Sequence, residues 1–201
     1  MEPIQDFAAL VSRLRSFKKR KRVVVVCPND AHTEYVIIRS LREGFADFLL
    51  VAVTPHLLNA EYIRHQYPDH VSVYEASSPD KAAQEGVLLV RQGHADVLMK
   101  GIINTDNLLR AVLNKEYGLL PKGNVLSHVT VAQIPSYNKL LFFSDAAVIP
   151  RPGLAHFDAM IRYDVEICRR MGIPEPRVAL IHCTEKVNEK FPHTLDYVTL
   201  K

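Results

Sequence analysis

The stretch 97–110, VLMKGIINTDNLLR, gathers residues suited to holding an anion. Val97, Leu98 and Met99 form a short apolar run of the kind that makes a buried strand. Lys100 and Gly101 follow at once. Asn104, Thr105 and Asp106 then stand where a helix N-cap belongs, and Leu108, Leu109, Ala111, Val112 and Leu113 carry the helix they open. A strand that ends in glycine and turns into a helix N-terminus points free backbone N–H groups and the positive end of the helix dipole the same way. Lys100 puts a cation at the mouth of that turn. Arg110, one or two turns into the helix, can reach back along its surface. On these residues alone, a plain strand–loop–helix corner with a solvated Lys and Arg stands slightly ahead.

Other reactive side chains form weaker patterns. The nine histidines include no HxxxH and no HExxH spacing, which gives a metal site little support. His128 follows Ser127, but neighbours on a strand point to opposite faces, so adjacency makes no catalytic pair. Cys27, Cys168 and Cys183 show no CxxC spacing and read as reduced thiols of a cytoplasmic protein, each serving as a small buried hydrophobe. No GxGxxG or Walker-type loop occurs, which argues against a nucleotide-cofactor dehydrogenase or an ATPase. A net charge of +3 is too small to argue for a nucleic-acid partner. No apolar segment approaches the length of a membrane span, and the N-terminus lacks a signal-peptide layout.

The elements that position the 97–110 stretch alternate. Helical spacing covers 4–17, and the basic run 18–22 reads as a helix C-terminus followed by a solvated turn. The apolar run 23–27 suits a strand covered on both faces. Pro28, Asn29 and Asp30 break and cap, and a helix continues over 35–41. A strand at 48–53, a helix at 57–66 and a strand at 71–74 follow. Residues 77–80, SSPD, cap a helix that runs to Arg91. This order implies a parallel sheet with helices on both faces and right-handed crossovers. Ligands of such sheets bind beyond the carboxyl ends of the strands, which is where Lys100 falls.

The texture changes after Arg110. Gly118, Pro121 and Gly123 mark 117–124 as a linker. Strands are expected at 125–134 and 140–143, joined by a PSYN turn at 135–138 and hence antiparallel. A helix over 154–171 closes at Gly172 and Pro174, a strand is expected at 177–182, and a helix starts near Thr194. The expected organisation is an α/β chain in two parts. A first domain over 1–122 holds a three-layer parallel sheet, and 123–201 forms a partial second α/β domain.

Downstream motifs add specificity. In order they are LSHV at 126–129, LFFSDAA at 141–147, Gly172-Ile173 with RVAL at 177–180, and EKVN at 185–188. Together with 97–110, this series resembles the phosphate acetyltransferase and phosphate butyryltransferase family, closer to the butyryl branch. The resemblance is strongest from about Ala95 to Asp196. It implies two α/β domains related to those of isocitrate and isopropylmalate dehydrogenases, with the active site in the cleft between them. It implies transfer of a short acyl group between coenzyme A and inorganic phosphate, with coenzyme A as a substrate and no other cofactor. It also implies a homodimer or higher homo-oligomer, with neither nucleic acid nor membrane as partner.

Arg110 matches an arginine that the family uses for phosphate, and is the residue expected to act in catalysis. Lys100, Gly101, Asn104, Thr105 and Asp106 share its loop. Ser127, Ser144, Asp145, Glu185, Lys186 and Asn188 match family motifs, and substrate contact and loop anchoring are equally open for them. The reaction needs a cationic hold on phosphate, a stabilised carbonyl oxygen, and a base for the thiol when the acyl group returns to coenzyme A.

Family members are about half as long again. Their late Ser-Arg motif and general-base aspartate fall beyond Lys201, and a segment carrying a further substrate arginine in the acetyl branch has no match here. The chain thus reads as a truncated member. Two other readings stay open: a binding or regulatory module without turnover, and a different enzyme on the dehydrogenase-type fold. The latter would need acidic metal ligands and a nicotinamide site, neither of which is evident. Assayed as given, the chain is expected to release thiol from butyryl-CoA and phosphate poorly while still binding phosphate. Robust turnover would place the base within these residues.

Overall fold

The computed structural model describes residues 2–54 and 56–200. The chain groups into two compact units. One contains 13–122, and the other contains the residues up to Ser12 together with those from Gly123 on. The helix α1 (Phe7–Arg15) straddles the first division.

The 13–122 unit alternates as its apolar runs require: β1 (Lys21–Val26), α2 (Ala31–Glu43), β2 (Ala46–Val53), α3 (Leu57–Gln66), β3 (Val71–Ala76), α4 (Pro79–Arg91), β4 (Val97–Lys100) and α5 (Thr105–Val112). All four strands are parallel, in the order β3-β2-β1-β4. Val24, Val25 and Val26 are fully buried because successive side chains enter opposite cores. Val24 and Val26, with Leu49 and Val51 of β2, meet Val87 of α4 and Leu108 of α5 on one face. Val25 and Leu50 meet Ile37 and Leu41 of α2 and Ile63 of α3 on the other. The result is a three-layer α/β unit.

Local chemistry sets the helix ends. Asp30 caps α2 by accepting the N–H groups of His32 and Thr33 at 3.0 and 2.9 Å. Ser78 caps α4, with Pro79 at its start. Within α4, Gly86 lets the helix sit close on the sheet, since a Cβ there would lie 2.5 Å from Cγ2 of Val26.

The other unit pairs β5 (Thr130–Ala132) with β6 (Leu141–Phe143) antiparallel, as the PSYN turn demands. It adds α6 (Leu154–Arg170) and α7 (Pro192–Thr199), with Phe157 of α6 meeting His193 and Tyr197 of α7 edge-on. α6 is followed by Gly172 at φ 87°.

Several expectations are corrected. Residues 177–182 form no strand. Among the described residues they have no ladder partner, and Val178 and Ile181 remain 49% and 82% exposed. An apolar run supplies the surface of a strand, but only a neighbour's N–H and C=O groups complete one. The strand expected over 125–134 shortens to Thr130–Ala132, the part that pairs with β6. The basic run 18–22 is not a helix end, because α1 stops at Arg15 and Lys21 and Arg22 already belong to β1. There Arg20 pairs with Asp47 and Arg22 with Asp96, each at 3.5 Å. The helix start expected near Thr194 begins at Pro192 and ends by Thr199, and Lys201 lies outside the described residues.

The end of β4 passes so near the end of β1 that Gly101 has no room for a side chain. A Cβ there would fall 2.2 Å from the carbonyl oxygen of Cys27 and 2.8 Å from that of Val26. Gly101→Ala is expected to destabilise the protein by about 2–3 kcal/mol through overpacking. Urea unfolding followed by far-UV circular dichroism measures this, and a midpoint unchanged from the parent would refute the packing argument.

Candidate functional site

Strand order decides where a ligand can enter the 13–122 unit. From β1 the chain moves outward to β2 and β3 on one side, then crosses back to place β4 on the other. The direction of winding therefore reverses between β1 and β4. At such a switch point the loops leaving adjacent strands part in opposite directions and open a crevice beyond the carboxyl ends.

Both lips of the crevice lead into helix N-termini. On the β1 side the chain passes through Cys27, which takes a left-handed φ of 55°, to Asn29 and the cap Asp30. The hydroxyl and N–H of Thr33 hold the Asp30 carboxyl below the usual range. On the β4 side, Gly101 N–H donates to Val26 O at 2.9 Å and Ile102 N–H to Cys27 O at 2.8 Å, which ties the two lips together. Asn104 caps α5 by accepting Asp106 N–H at 3.0 Å. The N–H groups of Asn104 and Thr105 have no acceptor among the described residues, and both residues are exposed. They are the free donors of a helix entry.

The two cations lie on this lip. Lys100 is exposed and its Nζ donates to Gly101 O at 3.3 Å. Arg110 folds back along α5 so that Nε donates to Asp106 O at 3.4 Å. Neither forms an ion pair with a carboxylate among the described residues. The Lys100–Arg110 group is thus one continuous lip with two unpaired cations and two free N–H groups, a chemistry that fits phosphate or carboxylate.

The remaining sequence-derived candidates lie in the other unit. Asp145 accepts from Ser127 Oγ at 3.0 Å, His128 N–H at 2.9 Å, and Ala147 and Val148 N–H at 2.8 Å each. Burial pushes its pKa up, but these four donors outweigh burial and bring it down to about 2. The Ser144 hydroxyl donates to Asp164 Oδ2 at 2.6 Å beside a cavity of about 550 Å³ lined by Phe142, Phe157 and Met160. Glu185 and Lys186 line a separate cavity of about 400 Å³ with His182 and Tyr197. Asn188 anchors its loop, its N–H and carbonyl both meeting the hydroxyl of buried Thr194 at 2.9 and 3.0 Å.

Sequence reasoning took Asn29 and Asp30 only as a breaker and cap. Their place beside Gly101 depends on strand order, which no local motif encodes. Burial pushes the Cys27 and Cys168 thiols up, so neither is poised as a nucleophile. Among the described residues, no cluster of three or more His, Cys, Asp or Glu could hold a metal ion, and no helix is long and apolar enough to cross a membrane.

A four-stranded parallel sheet with helices on both faces defines an α/β protein. The chain belongs to the phosphate acetyl/butaryl transferase family, whose model matches residues 71–200. It is 32% identical to the phosphate butyryltransferase of Clostridium acetobutylicum over 197 residues, covering 98% of this chain and 65% of that protein. With the phosphate butyryltransferase of Clostridium beijerinckii it shares 35% identity over 197 residues, covering 98% of this chain and 64% of the relative. The chain thus spans just under two thirds of the length of these relatives. A crystal structure of a branched-chain phosphotransacylase from Enterococcus faecalis V583 superposes with a TM-score of 0.74 at 25% identity, over 90% of this chain and 62% of that one.

Because the folded pKa of Asp145 lies below that of an unfolded carboxylate, its contribution is complete above about pH 4 and disappears as the pH falls toward 2. The contribution is about 1–2 kcal/mol once solvent screening is counted. Thermal melts between pH 5 and pH 2 are expected to fall less steeply in Asp145→Ala than in the parent, from a lower starting midpoint. Parallel curves would exclude Asp145 as the source.

Proposed function

We propose that this chain carries the phosphate-binding part of an acyl-CoA:phosphate acyltransferase of the butyryl type. What supports the reading is the lip of the β1/β4 crevice, which carries Lys100 and the free N–H groups of Asn104 and Thr105, and along which Arg110 turns back to Asp106 O. Its chemistry agrees with the names of the two clostridial relatives.

In the proposed reaction, a phosphate oxygen attacks the thioester carbonyl carbon of a short acyl-CoA. A carbon–oxygen bond forms, the carbon–sulfur bond breaks, and the coenzyme A thiolate leaves and takes up a proton. Lys100 and Arg110 hold the phosphate with one oxygen free to attack. The planar guanidinium fixes orientation as well as charge. Gly101 lets the backbone approach closely, and Asn104, Thr105 and Asp106 shape the helix entry.

Asp145, already accepting four hydrogen bonds and titrating near 2, serves as a loop anchor in this scheme and not as a general base. Ser127 supports it. Glu185 and Lys186 are proposed to meet substrate from their cavity, with Asn188 fixing their loop and Ser144 facing the neighbouring one. We further propose that the two compact units correspond to two α/β domains of the isocitrate/isopropylmalate dehydrogenase type, and that the protein works as a cytoplasmic homo-oligomer.

Thiol release from butyryl-CoA, measured with a disulfide reagent alongside phosphate binding, tests the reading. Release, expected to be weak from this chain, should require phosphate and fall about a hundredfold in Arg110→Gln, as for the loss of one preorganised electrostatic contact. Release that is independent of phosphate or unchanged by the substitution would overturn it. Weak release beside normal phosphate binding agrees with a chain that carries the phosphate-binding part, whereas no saturable phosphate binding would overturn the anion site itself.

A further inference from the structure

Basic side chains also gather at the far end of α5 from Lys100. After Val112 the chain makes a tight turn held by its own hydrogen bonds. Gly118 N–H donates to Asn114 O at 2.9 Å, and Leu119 N–H to Val112 O at 2.8 Å. The Asn114 amide oxygen accepts Glu116 N–H at 2.9 Å and Tyr117 N–H at 3.1 Å, leaving its NH₂ group as an uncommitted donor. Gly118 is compressed against the turn, since a Cβ there would lie 2.3 Å from Asn114 O. Arg91, the last residue of α4, secures the turn by donating Nη1 to Gly118 O at 3.1 Å.

Beside these contacts lies an open cavity of about 410 Å³. Arg91, Asn114, Lys115 and Lys122 line it, with Leu119 and Leu120 as an apolar wall. No lining residue is acidic. Arg91, Lys115 and Lys122 form no ion pair with a carboxylate among the described residues, whereas Arg20, Arg22 and Arg64 of the same unit each do. Three cationic residues and an asparagine with a free amide donor therefore line one concavity whose lining holds no counter-charge.

We propose that this cavity binds a diphosphate-bearing anion. The charge of one phosphate group would leave the three cations in excess. A diphosphate supplies oxygens to both sides and nearly balances three positive charges. The apolar wall offers a place for a ring attached to it. The site is separate from the crevice, because the eight residues of α5 set its two ends about 12 Å apart. A ligand here would clamp the end of α4 to the 113–122 turn, the segment through which the chain leaves the sheet unit.

Titration calorimetry with inorganic pyrophosphate tests the proposal. A Lys100→Gln/Arg110→Gln background removes the crevice cations, so this result does not depend on the acyltransferase reading. Saturable binding is expected, weakening at least tenfold when Lys115→Gln and Lys122→Gln are added. It should also weaken as ionic strength rises and be retained in Lys115→Arg/Lys122→Arg. In the unsubstituted chain, pyrophosphate should shift the backbone amide resonances of Gly118, Leu119 and Lys122. ADP distinguishes the source of the ligand. Binding of ADP as tight as pyrophosphate or tighter indicates a nucleotide, and weaker binding indicates a free diphosphate. No saturation below about 1 mM would overturn the proposal, as would binding that survives the Lys115→Gln/Lys122→Gln change.

Discussion

The seating of β4 against β1 at their carboxyl ends is the constraint on which the crevice depends. Two hydrogen bonds, from Gly101 to Val26 and from Ile102 to Cys27, fix the lips backbone to backbone. Side-chain packing alone would leave play of the order of a rotamer change, whereas backbone hydrogen bonds tolerate only a few tenths of an ångström. The absence of a Cβ at 101 makes that approach possible, and the left-handed turn at Cys27 steers the opposite lip away into α2. The direction of α5, and with it the reach of Arg110, is inherited from this junction.

The other unit is organised around a different kind of contact. Asp145 draws the 127–128 segment and the 147–148 turn onto one carboxylate. A negative charge that organises backbone donors is strongly held and chemically quiet. Its low pKa is a sign of structural employment, and an aspartate this well satisfied has little proton affinity left for catalysis. The neighbouring Ser144–Asp164 contact differs, because Asp164 Oδ1 is buried with no hydrogen-bond partner among the described residues.

What the sequence disclosed follows from how local each feature is. The alternation of apolar runs and caps from Val23 to Arg110 depends on neighbours a few residues apart, and the parallel unit was legible for that reason. Asn104 and Ser78 announced their helices by residue type. Strand order was not legible, since nothing in β1 names β4 as its neighbour. Asn29 and Asp30 consequently read as punctuation when they border the crevice. The run 177–182 failed for the related reason that hydrophobicity is a property of the segment, while strand formation belongs to a pair. Asp145 and Ser127 were singled out together by motif, but only coordinates reveal that they bond to each other. The bonds explain the low pKa, which no sequence pattern displays.

The unpaired stretch 177–182 has a practical bearing on how the protein behaves in bulk solution. Val178 and Ile181 face water on backbone whose N–H and C=O groups lack a ladder partner among the described residues. Such a segment is a template for strand addition. The charged residues Glu175, just before it, and Arg177, at its start, act as gatekeepers whose strength depends on salt. Colloidal stability should therefore be governed by this short segment more than by the net charge of the whole chain, which makes it the natural place to begin improving solubility.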